Sequence, residues 1–354
     1  MQPILIASVT PYVGKNVIAM GLAERLRRDK KRVGYFKPIG PLPTRRDGAL
    51  VDEDAAFFKK VLHLSEPLDV ICPLVLSDQV IAELLRGDLK DAKKRVLSAY
   101  KTASQGKDAM LVMNMGRMSC GRAFGFSMDE FAKEIDARVV TVERYHWPTE
   151  VLDGVLHMKD LLPKNFAGVI FNRLMPSQVS HIDRAVRPFL KASGVELLGA
   201  LADDPVLNAV PVSALVEALN GKVLCCEDKL DALVERFSIG AMNAEAALRF
   251  FQRVPNKAVI TGGDRADIQL AALQTSTRCL VLTGDLYPNE RILSRAVEAG
   301  VPVVLVSQET SAVAEACEQL HGHLSLTCEA KISRASEVVD KGLDWDAVHR
   351  QLGI

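Results

Sequence analysis

No apolar run in the 354-residue chain approaches the roughly 20 residues that a membrane-spanning helix needs. The N-terminus lacks the charged n-region and small-residue cleavage site of a signal peptide, so no secretory leader is expected. Neither sign of charge dominates. Lys+Arg and Asp+Glu number 44 each, which argues against a general nucleic-acid or membrane-surface binder. The seven cysteines (72, 120, 225, 226, 279, 317, 328) have neither metal-ligand nor disulfide-framework spacing. Most lie in apolar runs, where Cys acts as a small hydrophobe, and an odd count fits a reducing, cytoplasmic setting. No Ser/His/Asp or paired-carboxylate arrangement stands out. His321 and His323, in His-Gly-His after a helical pattern, read as a surface turn rather than a metal site. What the chain does have is core-forming material: 48% hydrophobic residues over a length that suits about two domains.

Short apolar runs alternate with amphipathic helical patterns throughout. Strands are expected at 3–8, 33–36, 109–114, 138–142, 167–172 and 196–200, with helices at 15–28, 52–62, 78–104, 128–135, 148–162 and 178–191. Strands without polar alternation are covered by helices on both faces, so the fold class is α/β with a parallel sheet. Ligands in such folds gather at the carboxyl ends of the strands.

The first strand runs into Val9-Thr10-Pro11-Tyr12-Val13-Gly14-Lys15-Asn16, and a helical pattern follows at once. This is the layout of a phosphate-binding loop, in which backbone N–H groups and a helix N-terminus receive a polyphosphate and a Lys reaches its outer phosphates. Thr10, Val13, Gly14, Lys15 and Asn16 are the candidate phosphate contacts. Two positions depart from G-x-x-x-x-G-K-[ST]: Val9 replaces Gly, and Asn16 replaces the Ser/Thr whose hydroxyl usually binds Mg²⁺.

Later strand ends add candidates. Lys37, in Lys37-Pro38-Ile39-Gly40, can face an anion. Asp52 and Asp54 can hold Mg²⁺, although spacing alone favours Asp52 capping the next helix while Asp54 completes its first turn. Asn114 stands where a nucleotide-hydrolysing protein usually has an acidic residue, and it cannot act as a base. Asn172 can read a nucleobase through its amide or simply make a turn.

A boundary is expected near 215, before a second α/β domain over 216–325 with strands at 222–226, 257–261, 278–283 and 302–306. Helices are expected there near 242–252, 265–275, 289–299 and 309–320. Its candidate ligand residues are Gly240, Gly262, Gly263, Asp264, Arg265, Thr283 and Gly284. The glycines let backbone N–H groups converge, Asp264 can cap a helix, and Arg265 can pair with an anion. Residues 326–354 read as a docked tail.

Val13-Gly14-Lys15, Lys37-Pro38-Ile39, Asp52-Glu53-Asp54, Gly168-Val169-Ile170-Phe171-Asn172 and Gly199-Ala200-Leu201-Ala202-Asp203-Asp204-Pro205 together resemble a dethiobiotin-synthetase-like domain (1–215). Gly240-Ala241-Met242 and Thr261-Gly262-Gly263-Asp264-Arg265 resemble a DRTGG domain. That order is similar to the N-terminal regulatory part of long-form phosphate acetyltransferases. The resemblance implies a P-loop NTPase-like sheet, ATP or another adenine nucleotide, Mg²⁺ at Asp52 and Asp54, and self-association through the second domain. No acetyltransferase domain follows before Ile354, so acetyl transfer is not expected of the chain itself. Pro11-Tyr12 replace small residues, Asn16 replaces Ser/Thr, and Asn114-Met115-Gly116 stands where the synthetases carry Glu-Gly. A regulatory nucleotide-binding protein with little or no turnover is therefore expected. It would answer to a nucleotide or anionic metabolite and act on an acyl-phosphate or central-carbon enzyme. The alternatives are an ATP- and Mg²⁺-dependent synthetase and a non-binding scaffold.

Overall fold

The computed structural model describes residues 1–10, 13–46, 48–320, 326 and 328–354, without the side chains of Glu318 and Gln319. Pro11, Tyr12 and the His321–His323 turn lie outside the described residues. The chain forms two compact units: Met1–Asp203 with Ser325–Ile354, and Asp204–Leu324.

The first unit is built on a six-stranded, wholly parallel sheet. Its order is Leu197–Ala202, Phe166–Leu174, Arg138–Glu143, Gln2–Ala7, Ala109–Met113, Val33–Phe36. The first strand in sequence is central, between Ala109–Met113 and Arg138–Glu143. Ile4, Leu5, Ile6 and Ala7 are fully buried, as helices on both faces require. The helix Lys15–Arg28 follows the apolar spacing and ends in Arg25, Arg27 and Arg28, which complement its C-terminal dipole.

The expected helix over 78–104 is two helices, Asp78–Arg86 and Ala92–Ala103, parted where Gly87 turns left-handed (φ 79°). A hairpin of Pro43–Arg46 and Ala49–Asp52, not foreseen from the sequence, leads into the helix Glu53–Val61. Residues beyond 325 form the helices Glu329–Gly342 and Trp345–Leu352, which pack within this unit. Val339 presses on the first helix at Gly21, where a Cβ would come within 2.3 Å of it.

The second unit has a five-stranded sheet ordered Lys222–Cys225, Val303–Leu305, Thr277–Thr283, Lys257–Gly262, Arg236–Ile239. The edge strand Lys222–Cys225 runs antiparallel and the rest are parallel, so the sheet is mixed. Arg236–Ile239 was not expected as a strand: its four residues mix charge, polarity and apolarity. Residues 204–215, expected with the first domain, pack in this unit, where Val210, Val212 and Leu215 share a core with Ile260 and Val281. The other face is packed by Phe251, Ile268, Leu280 and Leu282.

Candidate functional site

The carboxyl ends of the central strands of the first unit converge on the phosphate loop. Gly14 is the N-cap of the first helix in a left-handed conformation (φ 86°), with no side chain capping the helix. A Cβ there would lie 2.4 Å from Nδ2 of Asn172, so the position excludes larger residues on both grounds. Asn172 Nδ2 donates to the Val13 carbonyl at 2.8 Å. The amide expected to read a base thus braces the loop from within. Lys15 Nζ donates to Ser8 Oγ at 3.0 Å. Burial pulls its pKa below the ordinary value, against the attraction of Glu143. The bare helix start, the Gly14 cradle and the nearby ammonium fit the phosphates of a nucleotide.

The seat expected for Mg²⁺ is arranged differently. Lys37 is buried, and its Nζ donates to Asp52 Oδ1 at 2.8 Å and to Asp54 Oδ2 at 2.6 Å. Burial works against the Lys37 charge, but Asp54 and Asp52 outweigh it and hold its pKa above the ordinary value. Asp52 caps the following helix, its Oδ1 accepting from the Ala55 amide at 3.1 Å, while Oδ2 accepts from the Leu42 amide at 3.2 Å. Asn16 Nδ2 donates to Asp54 Oδ1 at 2.8 Å. All four carboxylate oxygens therefore have donors, and an ammonium stands where a divalent ion would share the two acids. Asn16 turns its donor, not its oxygen, toward Asp54. This donor set does not fit Mg²⁺ as placed. Gly40 permits the arrangement, since a Cβ there would lie 2.5 Å from that of Asp52.

A residue missed in the sequence completes the loop. Glu143 ends the strand beside the first one and is fully buried. Its Oε1 accepts from the Val9 amide at 2.7 Å, and its Oε2 lies 3.5 Å from Thr10 Oγ1. Burial pushes the carboxyl up to about 7, against the stabilising Val9 and Thr10 amides and Lys15. The only signal in the sequence was a charged residue closing an apolar strand. At Asn114 the side chain folds back on its own loop, Nδ2 donating to Gly116 O and Oδ1 accepting from Gly116 N.

In the second unit, the loops after three adjacent parallel strands meet. Arg265 Nη2 donates to Met242 O at 2.9 Å, and Thr261 Oγ1 to Gly240 O at 3.3 Å. A Cβ on Gly263 would lie 1.5 Å from Leu286 O, so only glycine lets the loop after Gly284 approach. Gln269, unremarked in the sequence, donates to Gly262 O and Gly263 O. Thr283 Oγ1 meets Thr310 Oγ1 at 2.8 Å. Gly240, Gly262, Gly263, Arg265, Thr283 and Gly284 thus belong to one loop cluster. Arg265 is held by Asp267 at 3.1 Å and by Met242, so its guanidinium latches loops together. Asp264 is exposed and makes no cap; Arg265 occupies the N-cap position. Among the described residues no group of three or more His, Cys, Asp or Glu could hold a metal ion.

Comparison with known proteins also gives two parts, with the boundary a few residues later than the structural one. Residues 2–210 match the AAA domain family and residues 214–320 the DRTGG domain. The chain is 27% identical over 376 residues to a phosphate acetyltransferase of Pseudomonas putida, covering 100% of this chain and 52% of that protein. The corresponding protein of Synechocystis sp. is 24% identical over 369 residues, with 94% and 49% covered. The ATP-dependent dethiobiotin synthetase of Methanocaldococcus jannaschii is 25% identical over 205 residues, with 55% of this chain and 92% of that protein covered. The chain spans about half the length of the phosphate acetyltransferases it matches. With its phosphate loop, parallel sheet and family match in agreement, the chain belongs to the AAA domain family through a dethiobiotin-synthetase-like P-loop domain, followed by a DRTGG domain.

Proposed function

We propose that the protein is a nucleotide-binding regulator whose first domain seats ATP or a related adenine nucleotide with little or no turnover. The observation that carries this reading is the Lys37 ammonium between Asp52 and Asp54. The phosphate cradle is kept, while the seat that would take a catalytic metal is filled by the protein's own cation. Val13, Gly14, Lys15 and Asn16 hold the phosphates, and Asn172 keeps Gly14 in place. The loop cluster around Gly240, Gly262, Gly263 and Thr283 takes a second small ligand or forms an interface between copies of the chain. Occupancy of either domain biases a partner enzyme of acyl-phosphate or central-carbon chemistry, by a coupling of ~1–3 kcal/mol. The identity to phosphate acetyltransferases along the chain supports that choice of partner. Cysteine usage favours a cytoplasmic location, and among the described residues no helix is long and apolar enough to cross a membrane.

The test is thermal stabilisation by ATP with and without Mg²⁺, read beside phosphate release. A ligand at a hundred times its Kd stabilises by about 2.7 kcal/mol. Equal shifts with and without Mg²⁺, and no phosphate release, are expected; no shift with any adenine nucleotide refutes the reading. Its rival, an ATP-dependent synthetase, draws on the identity to dethiobiotin synthetase. That reading requires Mg²⁺-dependent phosphate release that Lys15→Ala abolishes.

A further inference from the structure

The first half of the phosphate loop already holds an anion. Glu143 reaches it from the neighbouring strand, its carboxylate accepting the Val9 amide at 2.7 Å and lying 3.5 Å from Thr10 Oγ1. Val9 itself is wedged against the helix Pro148–Leu161, where a Cβ on Gly154 would come within 2.9 Å of its methyl groups. The position that the phosphate-loop pattern reserves for a bare glycine is therefore closed by a side chain, and its N–H is turned to a carboxylate. The backbone at Val9 and Thr10 cannot serve Glu143 and a phosphate oxygen together. Both are acceptors, and both are negative.

We propose that Glu143 is the residue that governs ligand admission to this loop: an anion that takes the Val9 and Thr10 amides does so only as Glu143 gains a proton. In that step a solvent proton bonds to a Glu143 oxygen, the Val9 N–H···Oε1 bond breaks, and a phosphate oxygen accepts the freed N–H. The neutral carboxylic acid no longer repels the ligand and gains an O–H to donate. Burial already raises this carboxyl to about 7, so protonation near that pH costs little. The charged neighbours divide into two groups. Lys15, from the helix, favours the carboxylate, and is itself flanked by Lys37, Asp54 and Cys120. Arg144 comes directly after the Glu143 strand, and Arg173, paired with Asp203 at 3.5 Å, is the penultimate residue of the next one. Lys15 serves an incoming phosphate equally well, so the proton on Glu143 makes the difference.

The proposal rests on the nucleotide-binding reading above, and the experiment separates the two. ATP is titrated calorimetrically into wild type and Glu143→Gln between pH 6 and 9, in two buffers of different ionisation enthalpy. Wild type is expected to take up one proton per ATP at pH 8 and to lose affinity about tenfold per pH unit above that. E143Q is expected to bind without proton uptake, at an affinity that does not change with pH. Wild-type binding without proton uptake overturns the proposal and leaves the nucleotide reading standing. Uptake that persists in E143Q places the proton on another group, Lys15 or the ligand's own phosphate, and also overturns it. No ATP binding by either protein at any pH brings down the nucleotide reading, and the proposal with it. Should E143Q not fold, carbon-13 NMR of the glutamate carboxyls in wild type at pH 8 reads the same event. A carboxyl that becomes protonated on ATP addition supports the proposal, and unchanged carboxyls overturn it.

Discussion

Glu143→Gln should make the ligand-free protein more stable, and by an amount that depends on pH. The folded state raises this carboxyl from its ordinary 4.5 to about 7. Between those values the folded protein holds the proton more tightly than the unfolded chain does. Its stability therefore falls as pH rises through the window and levels off above about 7. A difference of roughly two and a half pKa units corresponds to about 3 kcal/mol. Gln is uncharged at every pH and keeps an oxygen for the Val9 amide, so it escapes the penalty. Urea unfolding at pH 5, 6, 7 and 8 should give curves for the two proteins that differ by about 1 kcal/mol at pH 5 and part to about 3 kcal/mol at pH 8. Parallel pH profiles, or a variant less stable than wild type at pH 8, would refute the assigned burial cost.

Two further outcomes follow from the same neighbourhood. Gly14→Ala should cost about 1–2 kcal/mol for its left-handed backbone, plus the contact with Asn172 Nδ2 at 2.4 Å. In an Asn172→Ala background the second part vanishes, so urea-melt losses in the double-mutant cycle should fall short of the sum, and simple additivity would count against the brace. Lys37→Met leaves two buried carboxylates side by side and should cost about 3–5 kcal/mol. Millimolar Mg²⁺ should recover part of that in the variant and do nothing for wild type; a variant indifferent to Mg²⁺ would show that Lys37 does not stand in a cation seat.

Much of the architecture was legible in order along the chain. The helix Lys15–Arg28 follows its expected bounds, and the strands of the first sheet fall within about two residues of expectation at their ends. The apolar runs are long enough to declare burial on both faces, and Gly14-Lys15 marks the loop by local chemistry alone. The order of a P-loop domain and a DRTGG domain was legible for the same reason, since each motif is contiguous. The strand Arg236–Ile239 was not, because four mixed residues carry no period. Nor was the break at Gly87, which lies inside an otherwise continuous helical pattern.

The amino-acid order by itself determined the α/β class, the phosphate loop and the loss of the usual hydroxyl at Asn16, because periodicity and short motifs act over a few residues. Only the tertiary structure decided what those groups touch. Glu143 lies 134 positions from Val9 and reaches it because parallel pairing sets Thr141 beside Ala7. Asn172 braces Val13 from 159 positions away, and Lys37 sits between Asp52 and Asp54. The physical reason is common to all three. Once the strands bury these side chains, each charge and amide must find a partner within the protein, and the sheet order decides which partner is in reach.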